Sequence, residues 1–467
     1  MLSLWLTLSA CLTPATPTVQ AGERPNVLVI VLDTQRPDRL GLSPSDPDVS
    51  PWMRELALDG ARFDRAYSTS SWTIPSLATM MTGQYPNQHA VVEGAVPARR
   101  RAMEAGQEVR PLPRMDQDLL TIAQLFRRNG YETVGVTTNL LLMPRQGFER
   151  GFVTFRRYTA PEFEVYSGSR EPDPTDVTDW APETRKEAPV DAERVSHWLQ
   201  DQKEKLHGAK PFFLWVHLTD PHQPYHRWAP WFQDSADPQQ EMINAYDSEV
   251  RYTDAWLAKM VQSLEIPDNT YIFVVSDHGD AFGEHGAYSH GTNTHLYREV
   301  NDVVFLAKGP GIQAGLQPEF PVSLVDLYPT LAGVVDIAPP QGQSGGVDLS
   351  PILKGEKGAR LLSERLAERP IYAIRSSLQS ANRGDWMVVR GHYKLMETNT
   401  TKELYDLQQD PGETHNLYGK APAGVQAELT ALLDQHRAQA RVDSAQEQSI
   451  ELDEDTLDAL RAMGYVE

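Results

Sequence analysis

Several short stretches of the chain combine reactive residue types with positions where a buried strand would deliver them. The apolar run 27–32 stops at Asp33-Thr34. A carboxylate at the end of a buried strand is costly unless it is paired or metal-bound, and the plainer alternative is a helix N-cap. The run 271–275 leads into Ser276-Asp277-His278-Gly279-Asp280. That sequence offers a hard oxygen and an imidazole nitrogen, donors suited to zinc or manganese. The run 212–218 continues through Thr219-Asp220-Pro221-His222-Gln223-Pro224-Tyr225, which holds His222 in a proline-stiffened loop. His222 is either a site residue or a packed loop histidine. In Ser71-Trp72-Thr73-Ile74-Pro75-Ser76, the proline and serine fit a helix start. Thr73 then lies at a helix N-terminus, where N–H groups and the dipole favour anions. An alcohol beside a divalent cation is a candidate nucleophile, because coordination lowers its pKa. The alternative is that Thr73 only caps the helix.

The elements that must position these residues follow from hydropathy. Runs at 27–32, 133–137, 212–218, 271–275 and 303–306 read as strands buried on both faces. Helical patterns at 119–129 and 245–264 lie between them. This alternation predicts an α/β fold with a large, mostly parallel sheet flanked by helices. Such sheets bind ligands beyond the carboxyl ends of their strands, where the reactive residues fall. Segments 95–113 and 161–190 read as loops, the first containing Arg99-Arg100-Arg101 and the second rich in Pro, Asp, Glu and Ser. After residue 360 the pattern changes to short strands at 371–374, 386–390 and 392–395, then helices at 424–438 and 453–462. The expected division is a catalytic domain over 24–360 and a small α+β subdomain over 361–467.

The charge balance, 43 basic against 64 acidic residues for a net of −21, argues against a nucleic-acid partner. The single cysteine, Cys11, excludes an intrachain disulfide and any cysteine-based zinc site. It ends Leu8-Ser9-Ala10-Cys11, which resembles a bacterial lipobox after a short apolar segment, although no Lys or Arg precedes it. The expectation is a signal peptide over 1–11, lipidation of Cys11, and a Pro/Thr-rich tether over 12–23. The protein is then an exported lipoprotein of a bacterial cell envelope, held to the membrane by its N-terminal lipid.

Together the motifs resemble those of sulfatase-type members of the alkaline phosphatase superfamily. The resemblance runs through Asp33 to Gly41, through Thr73-Ile74-Pro75-Ser76 with Thr82-Gly83, and through His217 to Tyr225. It continues in Ser276-Asp277-His278-Gly279, Gly283-Glu284-His285-Gly286 and Ser289-His290-Gly291, then Gly309-Pro310-Gly311 and Val325 to Thr330. Near the carboxyl end, Glu403 to Leu407 and Asp410-Pro411-Gly412-Glu413 match the family's small terminal subdomain. The resemblance implies a metal ion held by Asp33, Asp277 and His278, with Thr73 activated beside it. It implies that His222 and His290 contact the transferred group, one of them protonating the leaving oxygen. Thr34, Thr138, Asn139 and Asp220 are expected to meet substrate, and Asp220 alternatively orients His222 or completes a second metal site. Glu284 and His285 are read as structural.

Departures from the family pattern shape the expected chemistry. Thr73 stands where sulfatases carry the Cys or Ser that becomes formylglycine, and Leu77 replaces the Arg of that motif, so no formylglycine is expected. Thr34 replaces a metal-binding Asp, and His278 stands where calcium-type members often have Asn. These changes favour Mn2+ or Zn2+ over Ca2+. The expectation is a metal-dependent ester hydrolase with Thr73 as nucleophile, acting on phosphate monoesters or diesters or on phosphonate esters. The alternatives are a sulfuric ester hydrolase, an envelope phosphoryl or head-group transferase, and a lipoprotein that only binds. The substrate is a small-molecule, glycan or lipid ester, and nothing in the sequence sets the oligomeric state.

Overall fold

Val27 to Leu32 are all fully buried, and the strand they form serves two cores at once. Val27, Val29 and Val31 face one hydrophobic cluster, while Leu28, Ile30 and Leu32 face another. Alternation of this kind is what a strand covered by helices on both faces requires. The computed structural model describes residues 24–89, 91, 114–139, 142, 146–158, 163–167, 192–290, 295–377, 380–398 and 400–440. Cys11, the tether 12–23, the segment 95–113 and the helical pattern 453–462 lie outside the described residues.

The main sheet has eight strands. In chain order they are β1 (Asn26–Leu32), β2 (Ala61–Arg62), β3 (Glu132–Thr137), β4 (Thr154–Tyr158), β5 (Phe163–Ser167), β6 (Phe212–Leu218), β7 (Thr270–Ser276) and β8 (Phe305–Lys308). Their spatial order is β2-β8-β7-β1-β6-β3-β4-β5. Strands β7, β1, β6, β3 and β4 are mutually parallel, and the outer ones run antiparallel to their inner neighbours. One face is covered by α1 (Pro51–Asp59), α4 (Ala192–Asp201) and α5 (Pro238–Ser263). The other carries α2 (Thr73–Thr82), α3 (Ile122–Arg128) and α7 (Leu327–Gly333).

The structure corrects several boundaries. The run at 303–306 was expected as one more parallel strand, yet β8 begins at Phe305 and is antiparallel to β7. Among the described residues between them the longest helix is the four-residue Arg298–Asn301, and the strand returns from the edge where β7 ended. Helix α5 starts at Pro238 instead of 245, because Asp237 accepts from Gln239 N and caps it with Pro in the first turn. Helix α3 is shorter than 119–129, being set by the capping box of Thr121 and Gln124. Residues 163–167, expected in a loop, form β5 against β4.

A second sheet of β9 (Ile371–Ser377), β10 (Ser380–Arg390), β11 (Tyr393–Glu397) and β12 (Lys402–Asp406) is antiparallel and packs against α8 (Val425–Ala438). Within this subdomain Lys394 Nζ and Glu413 Oε1 form a fully buried ion pair at 2.6 Å. Glu413 Oε2 also accepts the N–H of Arg298, at the start of the short helix α6 (Arg298–Asn301). Gly279 packs so closely on α6 that a Cβ there would lie 2.1 Å from Glu299 O. The terminal sheet therefore braces the backbone beside His278.

Candidate active site and metal centre

Four adjacent parallel strands, β7, β1, β6 and β3, end at one edge, and each hands over polar residues there. Strand β1 delivers Asp33, β7 delivers Asp277 and His278, β6 delivers Thr219 to His222, and β3 delivers Thr138 and Asn139. Backbone bonds keep the ends in register: Asp33 N to Leu218 O at 2.9 Å and Thr138 N to His217 O at 3.1 Å. Thr34 takes a left-handed conformation, φ 57°, that turns the chain sharply after Asp33. Its N–H then donates to Asp277 Oδ1 at 3.2 Å, and its hydroxyl donates to Pro221 O.

Asp33, Asp277 and His278 are fully buried and bring one donor atom each within 4.8 Å of one another. His278 Nε2 lies 3.6 Å from Asp33 Oδ1 and 3.5 Å from Asp277 Oδ2. Asp33 Oδ1 and Asp277 Oδ2 are buried with no hydrogen-bond partner. His278 Nδ1 faces Gly279 O at 2.9 Å, so in the neutral ring Nδ1 carries the hydrogen and Nε2 presents its lone pair to the cluster. Burial pushes the Asp33 carboxyl well up, and the charge of Asp277 pushes it further. Burial likewise raises Asp277 and lowers His278 to about 4. Two buried carboxylates with orphaned oxygens and an inward-facing imidazole are a donor set that a divalent cation fits.

Thr73 is the first residue of α2 and is almost fully buried. The capping position is Trp72, whose side chain makes no cap bond. The Thr73 hydroxyl instead turns to the cluster, 3.2 Å from His278 Nε2 and 3.5 Å from Asp33 Oδ2. Asn139 Nδ2 donates to the same Asp33 oxygen at 2.9 Å. The first intrahelical bond of this turn, Ser76 N to Trp72 O, leaves the N–H groups of Thr73 and Ile74 ahead of it at the helix start. Ser68 ties the helix to the metal loop, with its Oγ 2.9 Å from Ser76 Oγ and bonded to Asp277 O.

His222 and His290 meet across the same edge, Nε2 to Nε2 at 3.3 Å, and the His290 ring lies 4.5 Å from that of His278. Burial lowers both imidazoles to about 4. Trp72 packs edge-on against His290. The sequence thus brought Asp33, Thr73, Asp277, His278, His222, His290 and Asn139 to one place. The hydroxyl of Thr34 is bonded to Pro221 O and that of Thr138 lies 2.9 Å from Thr219 Oγ1. Asp220 Oδ2 accepts the N–H of Ala192 at the start of α4, at 2.9 Å. Glu284 pairs with Arg36 at 2.8 Å, and His285 stacks on Tyr297 at 3.8 Å. Asp280, Tyr225 and Arg36 had no role in the sequence reading, yet Asp280 meets His290 and is itself bonded by Tyr225 and Arg36. Their contacts span tens of residues, and no local spacing announces them.

A family model described as Sulfatase matches residues 25–337, and one described as N-sulphoglucosamine sulphohydrolase, C-terminal, matches residues 283–439. The chain is 25% identical to choline-sulfatase of Rhizobium meliloti, over 89% of this chain and 86% of that protein. It is 26% identical to human arylsulfatase K, over 93% of this chain and 87% of that protein. A protein solved with D-glucosamine-2-N,6-O-disulfate superposes with a TM-score of 0.68 at 17% identity, over 91% of this chain and 99% of that one. Another, solved with k-i-k-neocarrahexaose, gives 0.69 at 20% identity, over 95% and 98%. These two structural likenesses bear on the fold.

Proposed function

Since the chain belongs to the sulfatase family of ester hydrolases, which use a divalent metal ion, we propose that it cleaves esters of a tetrahedral oxyanion with the unmodified hydroxyl of Thr73 as nucleophile. The observation that carries this reading is the position of Thr73 Oγ1, buried and within 3.5 Å of both Asp33 Oδ2 and His278 Nε2. A metal ion held by Asp33, Asp277 and His278 supplies the positive charge that lowers the pKa of the hydroxyl and offsets charge on the non-bridging oxygens. The nitrogen donor and the two carboxylates suit Mn2+ or Zn2+.

The chain's own residues account for the other steps. With His278 Nε2 committed to the metal ion, the acceptor within reach for the Thr73 proton is Asp33 Oδ2, 3.5 Å from Oγ1. Asn139 holds Asp33 in orientation through its donation to Oδ2. The helix start at Thr73 offers N–H groups to the oxyanion. His222 and His290 face the space where the leaving oxygen departs.

The first reading of the substrate is a sulfate ester, supported by relatives named as sulfatases along most of the chain. Sulfated glycans are a fitting class, given the saccharides bound by the structural neighbours. A second reading, phosphate or phosphonate esters, is favoured by Thr73 itself. A threonine ester has to be resolved by attack of water on the central atom, because the side chain cannot eliminate the group as a hydrated aldehyde can. Turnover of matched aryl sulfate, phosphate monoester, phosphodiester and phosphonate esters by the metal-loaded protein separates the two. The first reading expects the sulfate ester to give the highest kcat/KM. A phosphoester preferred by more than about 10-fold overturns it in favour of the second. No turnover of any of these esters by metal-loaded protein contradicts both.

A further inference from the structure

Asp280 bears directly on His290 and Tyr225 on Asp280, although neither belongs to the metal cluster. Resting on the hydrolase reading above, we propose that Asp280 is a positioning residue that fixes the ring and tautomer of His290 for protonation of the leaving oxygen. Tyr225 and Arg36 hold Asp280 in turn.

Asp280 is fully buried. Its Oδ1 lies 3.1 Å from His290 Nδ1, its Oδ2 accepts the hydroxyl of Tyr225, and its backbone oxygen accepts Arg36 Nη1 at 2.9 Å. Arg36 is anchored separately by ion pairs of 2.8 Å with Asp38 and with Glu284. Both carboxylate oxygens and the backbone oxygen of Asp280 thus have a partner, which holds the carboxylate toward His290. A carboxylate at Nδ1 places a hydrogen there and leaves Nε2 as the working atom.

That atom points at the reaction space. His290 Nε2 is 3.3 Å from His222 Nε2, and the His290 ring neighbours that of His278, whose Nε2 touches Thr73 Oγ1. His222 is oriented differently, through its Nδ1 on the backbone oxygen of Gln223. His290 Nδ1 lies 3.1 Å from the Asp280 carboxylate, and the negative charges of Asp280 and of a bound ester oppose the burial that by itself keeps a second hydrogen off Nε2. In the first half of the cycle, Thr73 Oγ1 passes its proton to Asp33 Oδ2 and forms a bond to the central atom, and the bond to the leaving oxygen breaks. The hydrogen on His290 Nε2 passes to that oxygen, giving the free alcohol. In the second half, water attacks the Thr73 ester and returns a proton to Nε2, while Thr73 Oγ1 leaves and takes its own proton back from Asp33 Oδ2. One water is consumed per ester cleaved.

The experiment compares two esters of whichever acid the metal-loaded enzyme hydrolyses, one with a 4-nitrophenyl and one with a simple alkyl leaving group. A nitrophenolate leaves unassisted, whereas an alkoxide needs its proton. Asp280→Asn keeps the size of the side chain and removes its charge. It is expected to lower kcat on the alkyl ester about 10- to 100-fold and on the nitrophenyl ester by less than about 3-fold, with KM little changed. Tyr225→Phe is expected to show the same asymmetry at smaller size. Equal losses on both esters, or no loss on either, overturn the proposal. Circular dichroism and metal content check that each variant is folded, and Tyr225→Phe alone decides if the Asn variant is not. Thr73→Ala serves as the control: turnover retained in it marks failure of the nucleophile reading, independently of Asp280.

Discussion

Thr73→Ala is expected to lower kcat by about 10⁴-fold or more on every ester the enzyme turns over. Loss of a nucleophile costs that much because no other group reaches its position. In this site the argument is geometric: the hydroxyl is buried between Asp33 and His278, and the methyl of alanine has no lone pair to offer there. The loss corresponds to about 5 kcal/mol of transition-state stabilisation. Removing this hydroxyl leaves the two carboxyl groups and the imidazole of the cluster in place, so metal content and unfolding midpoint are expected to stay near wild type. Steady-state kinetics with metal analysis of the same preparations checks both. A drop of less than about 10-fold would show that another group attacks.

Removal of the metal is the second large effect. Dialysis against a chelator is expected to abolish turnover, by about 10³-fold or more, and Mn2+ or Zn2+ is expected to restore it. The electrostatics add a sign that a purely structural ion would not. Without a cation, the buried Asp33 and Asp277 carboxyls are both pushed upward, and each disfavours the other's charge. Asp33→Asn relieves that conflict in the metal-free protein while removing a ligand. The metal-free variant is therefore expected to be at least as stable as metal-free wild type. Added metal stabilises wild type, by about 2.7 kcal/mol at a hundredfold excess over Kd, and leaves the variant nearly unmoved. Thermal melts with and without metal read this directly. A variant that gains as much from metal as wild type would remove Asp33 from the ligand set.

How far the sequence disclosed this site depends on the kind of signal each residue carries. Asp33, Asp277 and His278 end contiguous apolar runs, and a strand buried on both faces leaves no choice about where the next polar residue emerges. Thr73 was legible from the proline two residues on and the small apolar residues of α2. The start of α5 was missed because its first turns are only half-buried and carry little periodicity; the Asp237-Pro238 cap was the available signal. Strand β5 was hidden by the polar composition of the segment around it. The brace behind His290 was not legible at all. Asp280 and Tyr225 lie 55 residues apart in sequence, so only the folded chain joins them. For Thr34 and Thr138, motif position gave no sign of the bonds their hydroxyls make, to Pro221 O and to Thr219 Oγ1.

The central claim is that the unmodified Thr73 hydroxyl carries the transferred group. The most direct measurement is to quench the metal-loaded enzyme with acid during turnover of its best ester and to map the peptides by mass spectrometry. The account predicts a sulfo or phospho ester on Thr73, present during turnover and absent both from the resting enzyme and from Thr73→Ala. The group found on another residue, or a resting enzyme in which Thr73 is already oxidised, would contradict it.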